Sequence, residues 1–202
     1  MRKLLWLNPV VKNMYDFSAL KELLQNKGFD IVECEKDHVC DAKNSYKNLC
    51  SKGMVLDSRC PRAVNFIRSN FKDFSNNISN LNPILIESAI ELSLKLKEDE
   101  WLYITTPCED LAELGNSLKL ERTTFLTWKK FKELNDINLQ INKIESSPIP
   151  PGFFENLGIK TLSLCSKEKI QNAFSYKFSE LKNYQIIELL YCENGCHNGD
   201  GL

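Results

Sequence analysis

The sequence is short of glycine and proline, with 8 and 7 among 202 residues, which excludes a low-complexity or linker-dominated chain. It has little arginine, 5 against 21 lysines, and no excess of either charge: 26 Lys+Arg face 27 Asp+Glu, for a net charge of -1. An electrostatic footprint for nucleic acid or an anionic membrane surface is therefore missing. Long hydrophobic runs are missing as well. The first apolar stretch, residues 4–7, is interrupted by Asn8-Pro9 and is too short for a signal peptide's apolar core or a membrane span. No internal repeat is evident. These absences predict a cytoplasmic protein with neither a nucleic-acid nor a membrane partner.

What the sequence does have is cysteine, 8 in all. In a reducing compartment thiols more often serve metals or catalysis than disulfides, although any single one can be a small buried hydrophobe. Position along the chain has to decide between these roles.

Apolar periodicity alternates short strands with amphipathic helices. Strands are predicted at residues 3–7, 29–33, 53–56, 101–105, 124–126, 160–164 and 185–191. Helices are predicted around 17–24, from Pro61, and at 84–96, 110–117, 127–134 and 167–178. Pro61 suits a first helical position, where a missing N–H costs nothing. The alternation predicts an α/β fold of two small lobes with largely parallel sheets. The punctuated stretch 147–152, Ser-Pro-Ile-Pro-Pro-Gly, is read as the joint between lobes 1–146 and 153–202 of a single 1–202 unit.

On that map Cys60, Cys108 and Cys192 each fall just past the carboxyl end of a predicted strand, the edge where open α/β sheets bind ligands. Their loops are expected to converge on one metal site in the cleft at those strand ends. Cys196 follows Cys192 after a three-residue spacer, Glu193-Asn194-Gly195, and backbone N–H groups of such a turn can point at sulfur. Cys60, Cys108, Cys192 and Cys196 supply the ligand count of a [4Fe-4S] cluster. Zinc also takes four thiolates, but structural zinc sites usually show two close pairs, and here there is one pair with two singletons. Cys60 precedes a helix start and is flanked by Arg59 and Arg62, both of which favour a thiolate. Cys34, Cys40, Cys50 and Cys165 match no cluster spacing and are assigned to packing.

At these residues the sequence resembles the catalytic domain of the iron-only ([FeFe]) hydrogenases, including its shorter sensor-like relatives. Asp57-Ser58-Arg59-Cys60-Pro61 is similar to the family's Thr-Ser-Cys-Cys-Pro motif. Thr106-Pro107-Cys108-Glu109-Asp110-Leu111 partly matches Met-Pro-Cys-x-x-Lys. The segment 192–201 is similar to the family's Cys-x-x-x-Cys with its Asn/Gly-rich tail, and 147–155 resembles a Pro-Pro-Gly-Phe-Phe segment of shorter members. The resemblance implies that the four cysteines hold a [4Fe-4S] cluster, with Cys196 in the position that bridges to a di-iron subcluster in true hydrogenases. Departures from the pattern fall at chemically important positions. Arg59 stands where the family has a proton-relay cysteine, Leu111 where a lysine braces the di-iron unit, and Thr106 where the motif has methionine. The expectation is an iron-sulfur protein for redox sensing, electron transfer or cluster handling without hydrogen turnover, served by a redox partner protein such as a ferredoxin. The alternatives are a hydrogenase-type enzyme, or an enzyme that uses the cluster on a small anionic substrate beside Arg59, Glu109 and His197. A zinc-stapled structural protein would need only the thiolates.

Overall fold

The computed structural model describes residues 1–141, 151–176, 178–193 and 195–196. In chain order, β1 (Arg2–Trp6), α1 (Pro9–Met14), α2 (Phe17–Asn26) and β2 (Phe29–Ile31) come first. They are followed by α3 (His38–Cys50), β3 (Val55–Leu56), α4 (Pro61–Asn70) and a 3-10 segment, Lys72–Asn77. Next come α5 (Ile84–Ser93), β4 (Glu100–Thr106), α6 (Glu109–Ser117), β5 (Thr123–Thr127) and α7 (Trp128–Leu134). The last group is β6 (Thr161–Cys165), α8 (Lys167–Tyr176), α9 (Phe178–Leu181) and β7 (Ile186–Leu190). The α/β class with parallel sheets is as the sequence predicts.

The chain forms two compact units, and neither is a continuous stretch: Met1–Lys36 with Leu85–Ile149 and Cys196–Leu202, and Asp37–Ile84 with Pro150–Gly195. The division therefore differs from the predicted lobes 1–146 and 153–202. The cause is strand pairing: β3 lies parallel to β7, with Val55 opposite Ile186 and Leu56 opposite Ile187, so residues around 37–84 belong with the C-terminal part. A two-residue strand carries no sequence signal for its partner. Most of the predicted joint lies outside the described residues.

In the first unit the sheet order is β2-β1-β4-β5, all parallel. β1 is one of its two inner strands, and successive side chains explain why it reads as a continuous apolar run. Leu5 and Leu7 enter one core with Val10, Val11, Trp128 and Phe131. Leu4 and Trp6 enter another with Ile86, Ile104, Leu111 and Phe125. Burying a Leu-sized side chain contributes about 1.5–3 kcal/mol, so a strand sealed on both faces is strongly held. In the second unit the order is β3-β7-β6, again parallel, and all five residues of β7 are buried.

Two helices escaped prediction. α1 has only six residues, with its cap at Asn8 and Pro9 in its first turn. α3 buries only Tyr46 and Cys50, so its polar faces hide the helical period. Of the predicted helix 167–178, the described residues give α8 as far as Tyr176 and α9 from Phe178. No helix among the described residues is long and apolar enough to cross a membrane.

Candidate metal centre

In the second unit all three strands end on one side, and each leads to a cysteine. Cys60 follows β3, Cys192 follows β7, and Cys165 is the last residue of β6. Cys60 is half-buried and caps α4 through its backbone, with Pro61 in the first turn and no capping hydrogen bond from the thiol. The positive end of this ten-residue helix favours a thiolate there. Arg62 lies over the Tyr191 ring, with Cζ 5.2 Å from its centroid. The Cys165 thiol, which the sequence assigns to packing, is buried and also donates to the Cys192 carbonyl at 3.1 Å.

Arg59 is held inside this unit. Its Nε and Nη2 grip Asp57, with Nη2 to Oδ2 at 2.8 Å, and Nη2 also donates to Glu188 Oε1 at 2.8 Å. Both carboxylates are buried, at 0% and 1% exposure. Burial works against the charged guanidinium, but the charges and hydrogen bonds of Asp57 and then Glu188 outweigh it and hold the Arg59 pKa above its ordinary value. The guanidinium packs on two rings, 3.9 Å from the Phe153 centroid and 4.6 Å from that of Phe154.

Glu188 collects further donors: Gly152 N–H at 2.6 Å, Phe153 N–H at 3.0 Å and the Ser163 hydroxyl at 2.6 Å. Two consecutive N–H groups converge on one carboxylate because Gly152 adopts φ 101°, a conformation that favours glycine. Asp57 also accepts from the Tyr46 hydroxyl at 3.0 Å, and that hydroxyl accepts the Ser58 N–H at 3.0 Å. The Pro-Pro-Gly-Phe-Phe segment thus has a physical role in the described residues from Pro151 onward: it closes over Arg59. One cation faces two carboxylates here, so the donors that Arg59 would offer a small anion at Nε and Nη2 are already engaged.

In the first unit β2 lies on one side of β1 and β4 on the other, which makes the β1/β4 boundary the point where strand order reverses. Two loops leave the carboxyl edge there. After β4, Cys108 is half-buried and caps α6 in an extended conformation, φ -160° and ψ 162°, with no capping bond from its thiol. Thr106 donates from Oγ1 to the Cys108 carbonyl at 2.9 Å, so the residue at the motif's methionine position ties down the Cys108 loop. The Glu109 carboxylate accepts from Thr127 Oγ1 at 3.4 Å. Leu111, at the motif's lysine position, is 6% exposed and belongs to the core.

After β1, Asn8 is 1% exposed. Its N–H donates to Thr105 Oγ1 at 2.9 Å, and its Oδ1 accepts the Val11 N–H at 3.2 Å as the cap of α1. Sequence reasoning passed over Asn8, as it did Asp57 and Glu188, because a buried polar residue in a loop or a strand looks like any other until its partners are known.

Cys196 is half-buried and belongs to the first unit. His197 lies outside the described residues. Of the remaining thiols, Cys34 donates to the Ser88 carbonyl at 3.8 Å and Cys50 is buried, and burial pushes both thiol pKa values up. Cys40 is exposed. Thiolates at helix starts are the donor chemistry that an iron-sulfur cluster takes: Cys60 stands at the start of the ten-residue α4 and Cys108 at the start of the nine-residue α6.

No family model and no curated protein matches the sequence. Solved structures do. An apo [FeFe]-hydrogenase HydA1 from Chlamydomonas reinhardtii, in a cysteine-to-histidine variant, is 9% identical, with 99% of this chain and 79% of that chain covered and a TM-score of 0.63. A glutamate-to-alanine variant of HydA1 from the same organism is 10% identical, with the same coverage and a TM-score of 0.65. A HydA(deltaEFG) structure described for stepwise H-cluster assembly is 12% identical over 99% and 79% of the two chains, with a TM-score of 0.65. With β1 and β4 at a strand-order reversal and cysteines at the carboxyl ends of its parallel strands, this chain has the fold of the [FeFe]-hydrogenases.

Proposed function

We propose that the protein is an iron-sulfur protein that binds one [4Fe-4S] cluster through Cys60, Cys108, Cys192 and Cys196. It serves redox sensing, electron transfer or cluster handling in the cytoplasm, with a redox partner such as a ferredoxin. The observation that carries this reading is the hydrogenase fold with its cysteines at strand ends and helix starts. The cluster, when bound, supplies one-electron chemistry. Cys60 and Cys108 would bind iron as thiolates favoured by α4 and α6, and Thr106 and Cys165 would hold the backbone of the ligand loops.

Absence of hydrogen turnover is part of the proposal. Arg59 cannot exchange a proton near neutral pH, and its two carboxylate partners raise its pKa further. Leu111 has no donor for a di-iron unit and is packed in the core. The alternative, a hydrogenase-type enzyme with a di-iron subcluster, draws on the same fold. A small-anion enzyme would draw on Arg59, whose Nε and Nη2 are engaged by Asp57 and Glu188.

Anaerobic reconstitution with iron and sulfide tests this. The expected product is brown and holds about four irons and four sulfides per chain. Cys60→Ser and Cys108→Ser should each lose most of the iron. Full iron content with unchanged spectra in either variant would overturn the ligand assignment, and a colourless zinc protein would overturn the cluster. Hydrogen evolution above a cysteine-to-serine control, after a mature di-iron unit is offered, would promote the hydrogenase alternative.

A further inference from the structure

We infer that the side-chain amide of Asn8 is a hydrogen-bond donor to a sulfur of the cluster held at the β1/β4 edge, an assignment that rests on Cys108 being a cluster ligand. Asn8 is pinned on two sides. Its backbone N–H goes to Thr105 Oγ1, whose own hydroxyl donates to the Trp6 carbonyl at 3.2 Å, and its Oδ1 takes the Val11 N–H. Nδ2 is left buried with no hydrogen-bond partner among the described residues. An amide donor stranded in this way costs about 1–3 kcal/mol.

The helix cap does not require that donor. Aspartate and serine cap helices about as well as asparagine, and neither carries an NH2 group. The amide nitrogen is the feature that asparagine alone brings to this position, and it is satisfied only by an acceptor brought from outside the described chain. Its location names the acceptor. Asn8 and Cys108 each stand two residues beyond the end of adjacent parallel strands, with Trp6 opposite Ile104 in the register. The Asn8 N–H is bonded to Thr105 Oγ1, three residues before Cys108, so both loops leave the edge where ligands of open α/β sheets sit. An anionic sulfur is an acceptor that such a donor stabilises further on reduction.

The test uses the full chain, reconstituted with iron and sulfide. Asn8→Ser and Asn8→Asp both keep the capping acceptor and remove the NH2, and since the aspartate adds a charge that lowers the potential by itself, the serine variant carries the test. Both should retain iron and shift the reduction equilibrium about tenfold toward the oxidised cluster, which is 59 mV lower for a one-electron couple. Parent protein with 15N in its asparagine side chains should show a 15N coupling to the reduced cluster in pulsed EPR, and Asn8→Ser should lose it. Parental potential in Asn8→Ser, or no amide 15N coupling in the parent, overturns the assignment and leaves the four-cysteine reading standing. If the cluster of Asn8→Ser keeps the parental potential and the apo variant gains no stability, the amide serves only a buried water and the assignment falls. Failure of the parent to take up a cluster overturns both readings.

Discussion

Arg59 and Glu188, 129 positions apart, are joined by a 2.8 Å hydrogen bond from Nη2 to Oε1. Asp57, two residues before Arg59, completes the pair of carboxylates. The two positions that depart from Thr-Ser-Cys-Cys-Pro at 57 and 59 are therefore partners of one another, and a buried charge at one is compensated by the other.

Removing the guanidinium leaves two buried carboxylates facing each other. Arg59→Ala should cost about 3–5 kcal/mol in urea unfolding, as breaking a buried ion pair does. Arg59→Lys should fall between that variant and the parent, since a lysine keeps the charge and loses the planar fork and the stacking on Phe153 and Phe154. Parent-like stability in Arg59→Ala would mean that the network contributes nothing.

Cys165 and Cys192 share one hydrogen bond, from the thiol of the first to the carbonyl of the second. Cys165→Ser keeps a donor and should behave as the parent does. Cys165→Ala should lose about 1 kcal/mol and alkylate faster at Cys192, because the carbonyl that restrains that loop is released. Equal Cys192 alkylation rates in the serine and alanine variants would assign Cys165 to packing alone.

Cys50 gives a pH dependence with a definite sign. Burial raises its pKa above the ordinary value of 9.0, so between the unfolded and folded values the folded protein holds the extra proton. The contribution to stability is complete below the ordinary value and is lost as pH rises toward the folded one, by at most about 1.4 kcal/mol per pH unit for one proton. Urea unfolding at pH 8 and pH 10 should therefore show a smaller alkaline loss in Cys50→Ala than in the parent, and equal losses would remove Cys50 from the account.

Gly115 sits in α6 against β5, and a Cβ built there would collide with the Phe125 ring. Phe125 is 1% exposed in the core that also contains Leu111, so it has little room to retreat. Gly115→Ala should destabilise by about 1–3 kcal/mol despite the higher helix propensity of alanine. A stabilised variant in thermal unfolding would show that the α6/β5 packing yields easily.

Apolar periodicity marks the strands that are long enough to show a period and the helices with a clean apolar face, and it puts Cys60, Cys108 and Cys192 past strand ends. β1 is legible because both of its faces are buried, so Leu4 to Leu7 cannot be polar. Local signals end there. That β3 pairs with β7, and so moves Asp37–Ile84 into the second unit, depends on backbone hydrogen bonds between segments about 130 residues apart, which no side-chain pattern in a two-residue strand records. Arg59 reads from sequence as a charge beside a thiol. Only the tertiary structure supplies Glu188, Phe153 and Phe154 to hold it, because burial makes a charge acceptable through partners brought from elsewhere in the chain. Asn8 reads from sequence as the end of an apolar run, and only the folded chain shows it capping α1 with its amide buried and in need of an acceptor.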